Sequence, residues 1–206
     1  MRNRMNISIF EGNTYDSTVI LGKYYKEAFP EEERIPPEKM IRLIGYGVYH
    51  LLVGCFSDSG TAFGYAFLCN SPDGKSVLLD YFFILPEYRG KGYGELFLKG
   101  LKERAKGQML IFEVEKSEAP DDLKVHRIRF YLRNGAVILP FPYLFPTRTG
   151  ELPMHLMTLS EMPEGGYDGV RLRKFLSYAM ELLHSDTDYK TVLSHYLNGI
   201  PDKILL

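Results

Sequence analysis

Residues 89 to 94 read Arg-Gly-Lys-Gly-Tyr-Gly, with glycine at every second position and two cations among them. The apolar run SVLLDYFFIL (76–85) precedes them. Tyr93, Leu96, Phe97 and Leu101 follow at helical spacing. A glycine turn between a strand and a helix is a ready anion site. The helix start presents N–H groups without partners and the positive end of the macrodipole. Glycine lets a phosphate approach the backbone with no Cβ in the way. Two phosphate loops are excluded by spacing. The P-loop requires Ser or Thr after its Gly-Lys pair, and Gly90-Lys91 is followed by Gly92. The dinucleotide fingerprint requires G-x-G-x-x-G, but here Glu95 or Phe97 falls where the third glycine belongs. A merely flexible connection is the bland alternative, yet alternating glycines weaken the helix they begin. Two carboxylates also stand out. Asp80 lies inside the apolar run and needs a partner or a purpose there. Glu113 lies in the strand-like MLIFEVE (109–115), on one face with Glu115 by the period of two.

The pattern that fits the glycine stretch is R-x-x-G-x-G, carried by Arg89, Gly92 and Gly94. It resembles the acyl-CoA signature of the GNAT superfamily of N-acetyltransferases. ILPEYRGKGYGELFLKGL is similar to that family's strand–loop–helix unit in nearly every position. Downstream, FYLRNGA (130–136) resembles the family's Y-x-x-x-G element, with Tyr131 and Gly135 in place. One strand, MLIFEVE, separates the two elements, as the family topology requires. The resemblance spans roughly residues 7–160 as architecture and about 76–137 as motif.

The resemblance implies acetyl-CoA as cofactor. Its pyrophosphate would lie on the N–H groups of Gly90, Lys91, Gly92, Tyr93 and Gly94, with Arg89 and Lys91 assisting. Its peptide-like pantetheine arm would pair with the backbone of Phe82, Phe83 and Ile84 as an added strand does. Amide formation needs a neutral amine, and a lysine-type amine has a pKa of about 10.4. A base must therefore remove a proton. The departing thiolate, with a reference pKa of about 8.5, gains from a donor. The family's tyrosine points at that sulfur, which makes Tyr131 the acid; the bland reading is a helix tyrosine packing on the sheet. FEVE (112–115) resembles the segment that carries the base in ribosomal-protein N-terminal acetyltransferases, so Glu113 is the first choice; the bland reading is a solvated strand end. Burial in this apolar strand would raise its pKa, as suits a base. Asp80 is the alternative base, because other members place one on that strand. Lys124 departs from the family, which often has asparagine there. His126 is expected on a basic helix surface, and His50 and His155 on strands without a motif.

The chain that must position these groups has 206 residues, enough for one well-packed domain. A net charge of −1 does not indicate a broad nucleic-acid surface, and none is expected as partner. No apolar run has the length of a signal peptide or a membrane span. Cys55 and Cys69 form no disulfide framework, and no Cys/His cluster has zinc spacing, so a cytoplasmic protein without a metal is expected. A strand is expected at 7–10 and a helix from Asp16 to Phe29, capped by Asp16 or Ser17. PEEERIPPE (30–38) reads as an exposed acidic loop, with a short helix at 37–44. Strands at 49–56 and 61–69 about the turn SDSG would set Cys55 near Ala62 and Cys69 far away. SPDG (71–74) is a second turn, ahead of the strand at 76–85. After the helix that ends by Gly107 come the strand 109–115, a helix from Asp122 to Asn134 ending at Gly135, and strands at 136–141 and 152–159 joined by a proline-rich loop. Residues 170–184 and 188–198 are helical, after a short flexible segment.

These features define an α/β, GNAT-type fold: a mixed, mainly antiparallel sheet flanked by helices, with a C-terminal helical extension. Residues 1–160 are expected to form the acetyltransferase domain and 161–206 an extension packed on it. The expected activity is direct transfer of acetyl from acetyl-CoA to a primary amine, on a small molecule or on a protein lysine or N-terminus. Another acyl donor or acceptor, or a non-catalytic CoA-binding sensor or interaction module, are the alternatives. The resemblance implies an acceptor pocket built from PEEERIPPE and PFPYLFPTRTG; the acid-rich first loop could attract a cationic amine, yet charged proline loops are usually just solvated, and the fold does not decide the substrate. Oligomeric state is left open, a homodimer included.

Overall fold

The computed structural model describes residues 6–117 and 123–206. The chain divides into two compact units. The first takes in the chain up to Asn70 together with Leu79–Lys106. The second takes in Ser71–Leu78 together with the chain from Gly107 on.

The first unit begins with β1 (Ile7–Gly12), α1 (Thr14–Ile20), a π-helical turn Leu21–Tyr25 and the short α2 (Lys26–Ala28). The helix starts two residues before Asp16. Asn13 is its cap: its side chain accepts from Tyr15 and Asp16 N–H, and the Asp16 carboxylate accepts from Asn13 N–H in return. Asp16 is therefore the far half of a capping box. Residues 30–38 are not wholly an exposed loop. Glu31–Glu33 form an outward 3₁₀ turn, but Ile35 is only 1% exposed. Its N–H donates to the hydroxyls of Tyr25 (2.8 Å) and Tyr81 (3.0 Å). One apolar residue between two prolines and a row of glutamates anchors the segment.

α3 (Pro37–Gly45) follows with Met40 and Leu43 buried, then β2 (Tyr49–Phe56), β3 (Ala62–Asn70) and β4 (Ser76–Ile84). β1, β2 and β3 pair antiparallel in that order. Cys55 pairs with Ala62 and Cys69 with Tyr49, as the turn at 57–60 requires; both thiols are free and buried. α4 (Tyr93–Arg104) buries Phe97, Leu98 and Leu101, and Phe97 packs against Phe63 and Phe82.

The second unit contains β5 (Met109–Glu115), α5 (Leu123–Arg133), β6 (Val137–Ile138), β7 (Tyr143–Thr147), β8 (Gly150–Thr158), β9 (Tyr167–Asp168), α6 (Gly169–His184), α7 (Tyr189–Tyr196) and β10 (Lys203–Ile204). The expected helix start at Asp122 lies outside the described residues. β5 runs parallel to the beginning of β4 over three pairs, Ser76↔Met109 to Leu78↔Ile111. Its other edge pairs antiparallel with β8, Ile111↔Thr158 to Glu115↔Met154. The sheet is thus mixed, mainly antiparallel and flanked by helices, as the sequence required.

The strand expected at 136–141 is only Val137–Ile138. The proline-rich loop after it holds an unforeseen strand, β7, which forms a hairpin with β8 from Tyr143↔Met154 to Thr147↔Gly150. Pro146 is tolerated because an edge strand does not need every N–H. The segment before α6 is also more ordered than its glycines suggest. β9 pairs with β10, and Gly169 N–H donates to Asp202 O at 2.8 Å. A Cβ on Gly169 would meet Pro201 O at 1.8 Å, so only glycine lets the strands close.

Candidate functional site

In the first unit, Leu85 leads into a 3₁₀ turn, Pro86–Tyr88, and then the glycine stretch. Gly90 and Gly92 have φ of +71° and +86°, the left-handed region where a side chain is strained. Gly92 is the N-cap of α4 and supplies no side-chain cap, so the first-turn N–H groups are left for an external acceptor. A Cβ on Gly90 would meet nothing within 4 Å, so the loop has an open approach. Of the two cations, Arg89 Nε donates to Ile84 O (2.9 Å) and Lys91 Nζ to Glu87 O (2.8 Å). These bonds brace the preceding turn. The Tyr93 ring is packed against Phe63 and Phe56. Phe83 is buried against Phe29 and Tyr65, and the half-buried Phe82 ring touches Phe97.

Asp80 lies in the same unit and accepts a hydrogen bond from the Tyr49 hydroxyl. Burial pushes its carboxyl up to about 7, with the Tyr49 bond acting the other way. Burial also raises the Cys69 thiol to about 12, helped by Asp80, which keeps it inert.

The second unit holds the other two predicted groups. Glu113, on β5 opposite Leu156 of β8, accepts from the Tyr143 hydroxyl. Glu115 has a different fate. Lys124 Nζ (2.9 Å) and Arg127 (3.2 Å) from α5 neutralise it. Lys124, the departure from the family pattern, is thus spent on an ion pair. Tyr131, on α5, is 7% exposed with its ring 4.4 Å from Phe112. Burial pushes its phenol up to about 12, with Arg127 opposing, so it stays protonated at neutral pH. The histidines stay outside these clusters: His50 pairs with Glu11 at 2.6 Å, His126 is exposed, and burial, then Lys116, lowers His155 below its ordinary value.

Sequence reasoning missed the tyrosines that hold both carboxylates, Tyr49 and Tyr143, and Tyr196 beside the latter. Tyr143 is 0% exposed, and its ring stands 5.0 Å from that of Tyr196 on α7. The Tyr196 hydroxyl is buried and near enough to Tyr143 to feel it, yet its geometry falls short of a hydrogen bond. Nothing in residue spacing signals these partners, because each is brought in by strand pairing or helix packing.

A helix without a side-chain cap behind left-handed glycines, with an open approach at Gly90, suits an anionic ligand. The model of the Acetyltransferase (GNAT) family matches residues 19–136, more than half of the chain. The chain belongs to the GNAT family of acetyltransferases, enzymes that move acetyl from acetyl-CoA to an amine. Solved structures share the fold. A protein from Bacteroides thetaiotaomicron described as a GNAT-family acetyltransferase is similar at 23% identity, with 87% of this chain and 98% of that one covered and a TM-score of 0.70. The ribosomal-protein-S18-alanine N-acetyltransferase of Escherichia coli is 20% identical, with 79% and 99% covered and a TM-score of 0.55. A Salmonella typhimurium protein described as an acetyltransferase, solved with its cofactor acetyl-CoA, is 19% identical, with 75% and 95% covered and a TM-score of 0.51. No curated protein sequence matches the chain. Among the described residues, no helix is long and apolar enough to cross a membrane.

Proposed function

We propose that the acetyl group passes directly to a primary amine, with Glu113 as the base and Tyr131 as donor to the departing sulfur. The observation that carries this reading is the contrast within FEVE. Glu115 is committed to an ion pair with Lys124 and Arg127, whereas Glu113 accepts a hydrogen bond from the Tyr143 hydroxyl. An acceptor amine arrives protonated, and Glu113 takes that proton. Tyr131, with its phenol near pKa 12, is too weak an acid to hand its proton over to a thiolate of about 8.5. Its role is a hydrogen bond that strengthens as charge develops on the sulfur. Acetyl-CoA supplies the thioester. The N–H groups from Gly90 to Gly94 suit its pyrophosphate, because the loop is open and α4 is uncapped. The backbone of Phe82 to Ile84 is assigned to the pantetheine arm; the three-pair β4–β5 ladder, which ends before these residues, supports this.

Residues 1–160 are read as the catalytic domain and 161–206 as an extension on it, in keeping with the packing of α7 on β7. The free, buried cysteines suit a cytoplasmic protein. The test is a pH–rate profile for coenzyme A release with a panel of amines. Glu113→Gln should abolish the acidic limb and Asp80→Asn should keep it. The reverse pattern would move the base to Asp80.

A further inference from the structure

Resting on the reading of Glu113 as base, the geometry points to Tyr143 as a positioning residue that aims this carboxylate and keeps it ionised. Tyr143 stands on β7, an edge strand, and is paired with Met154 of β8. Across β8 from it, Glu113 is paired with Leu156, two residues further along that strand. Two residues along a strand is one step on the same face, so the Tyr143 hydroxyl comes over Leu156 to Glu113 Oε1. A phenol has one proton to give. Burial first, and then the Glu113 charge, push the Tyr143 phenol well above its ordinary value, so it serves only as a donor. A donor aimed at a carboxylate favours the charged form and fixes the rotamer.

Tyr143 from β7 and Tyr196 from α7 both feel the Glu113 carboxylate. β8 opposes Glu113 with apolar Leu156, and from α6 His184 packs on Phe145, two residues along β7. Tyr196 closes the back of the Tyr143 ring, so the C-terminal helix fixes where the donor stands. The chain beyond the motif region is in this way part of the catalytic apparatus, acting through another residue and touching no reacting atom.

The experiment compares pH–rate profiles of the full chain carrying Tyr143→Phe, 3-fluorotyrosine at position 143, and Glu113→Gln, with acetyl-CoA and the best amine of a panel. Each tyrosine variant keeps the ring, and circular dichroism checks folding. Loss of the donor should move the acidic limb to higher pH, lower kcat about 10-fold near pH 7, restore much of it at pH 9, and leave the KM for acetyl-CoA unchanged. The fluorinated phenol, a stronger donor, should move the limb the other way. If both variants keep the wild-type limb while Glu113→Gln abolishes it, Tyr143 is only a packing residue and the base stands. If Glu113→Gln keeps the limb, the base assignment itself falls.

Discussion

Replacing Asp80 with asparagine should stabilise the protein at alkaline pH and do far less at acidic pH. The carboxyl is held up to about 7 in the folded chain against an ordinary 3.8, chiefly because burial penalises its charge. The unfolded chain releases this proton near pH 4 and the folded chain near pH 7. Between those values unfolding sheds a proton, so stability is fully present below pH 4 and falls as pH rises to 7. One pH unit inside that window costs about 1.4 kcal/mol. From pH 5 to pH 8 the group therefore removes roughly 2–3 kcal/mol from the wild type, and partial access to water trims this to about 2. Asparagine carries no charge and still accepts from Tyr49, so the variant escapes the loss. For a chain of this size about 2 kcal/mol is ~4–8 °C in Tm. Calorimetric scans of both proteins at pH 5 and pH 8 read the difference of differences, in which all other titrations cancel. An advantage of the same size at both pH values would show that Asp80 is ionised throughout and that the burial argument fails.

The loop should be more sensitive to backbone than to charge. Gly92→Val, which forces a β-branched residue to positive φ, should weaken acetyl-CoA binding far more than Lys91→Ala, as titration calorimetry would read; equal losses would return the phosphate to the side chains. Tyr131→Phe keeps the ring against Phe112 and should lower kcat about 10- to 100-fold with cofactor affinity nearly constant, whereas an unchanged rate across pH would reduce Tyr131 to packing. Gly169→Ala should destabilise by on the order of 2–4 kcal/mol in urea unfolding, because its Cβ would collide with Pro201 O; a loss under ~0.5 kcal/mol would mean that the β9–β10 clasp moves aside freely.

Local chemistry was legible in the sequence. The period-two and period-3.6 patterns located β1 to β5, α4 and α6. The turn at 57–60 set the Cys55↔Ala62 register. The glycine spacing marked the loop, whose left-handed residues are a property of the chain itself. Two apolar carboxylate positions, Asp80 and Glu113, could likewise be flagged as needing partners. The identity of those partners could not. Tyr49 and Tyr143 lie about 30 residues from the carboxylates they hold, and with 15 tyrosines in the chain no spacing rule selects them. β7 was hidden because its Pro140, Pro142 and Pro146 surroundings have loop composition, and only the hairpin with β8 makes it a strand. Ile35 was hidden for the same reason: two buried hydroxyls, from Tyr25 and Tyr81, make an anchor of a residue set among prolines and glutamates. Glu113 and Glu115, equal by strand period, acquire different surroundings only in the fold: α5 brings Lys124 and Arg127 to Glu115, and β7 brings the Tyr143 phenol to Glu113. Periodicity and turn geometry are short-range and can be read from neighbours in the chain. Electrostatic environment depends on what long-range folding brings within a few ångströms, and here the tertiary structure alone gave two carboxylates of one strand face different partners.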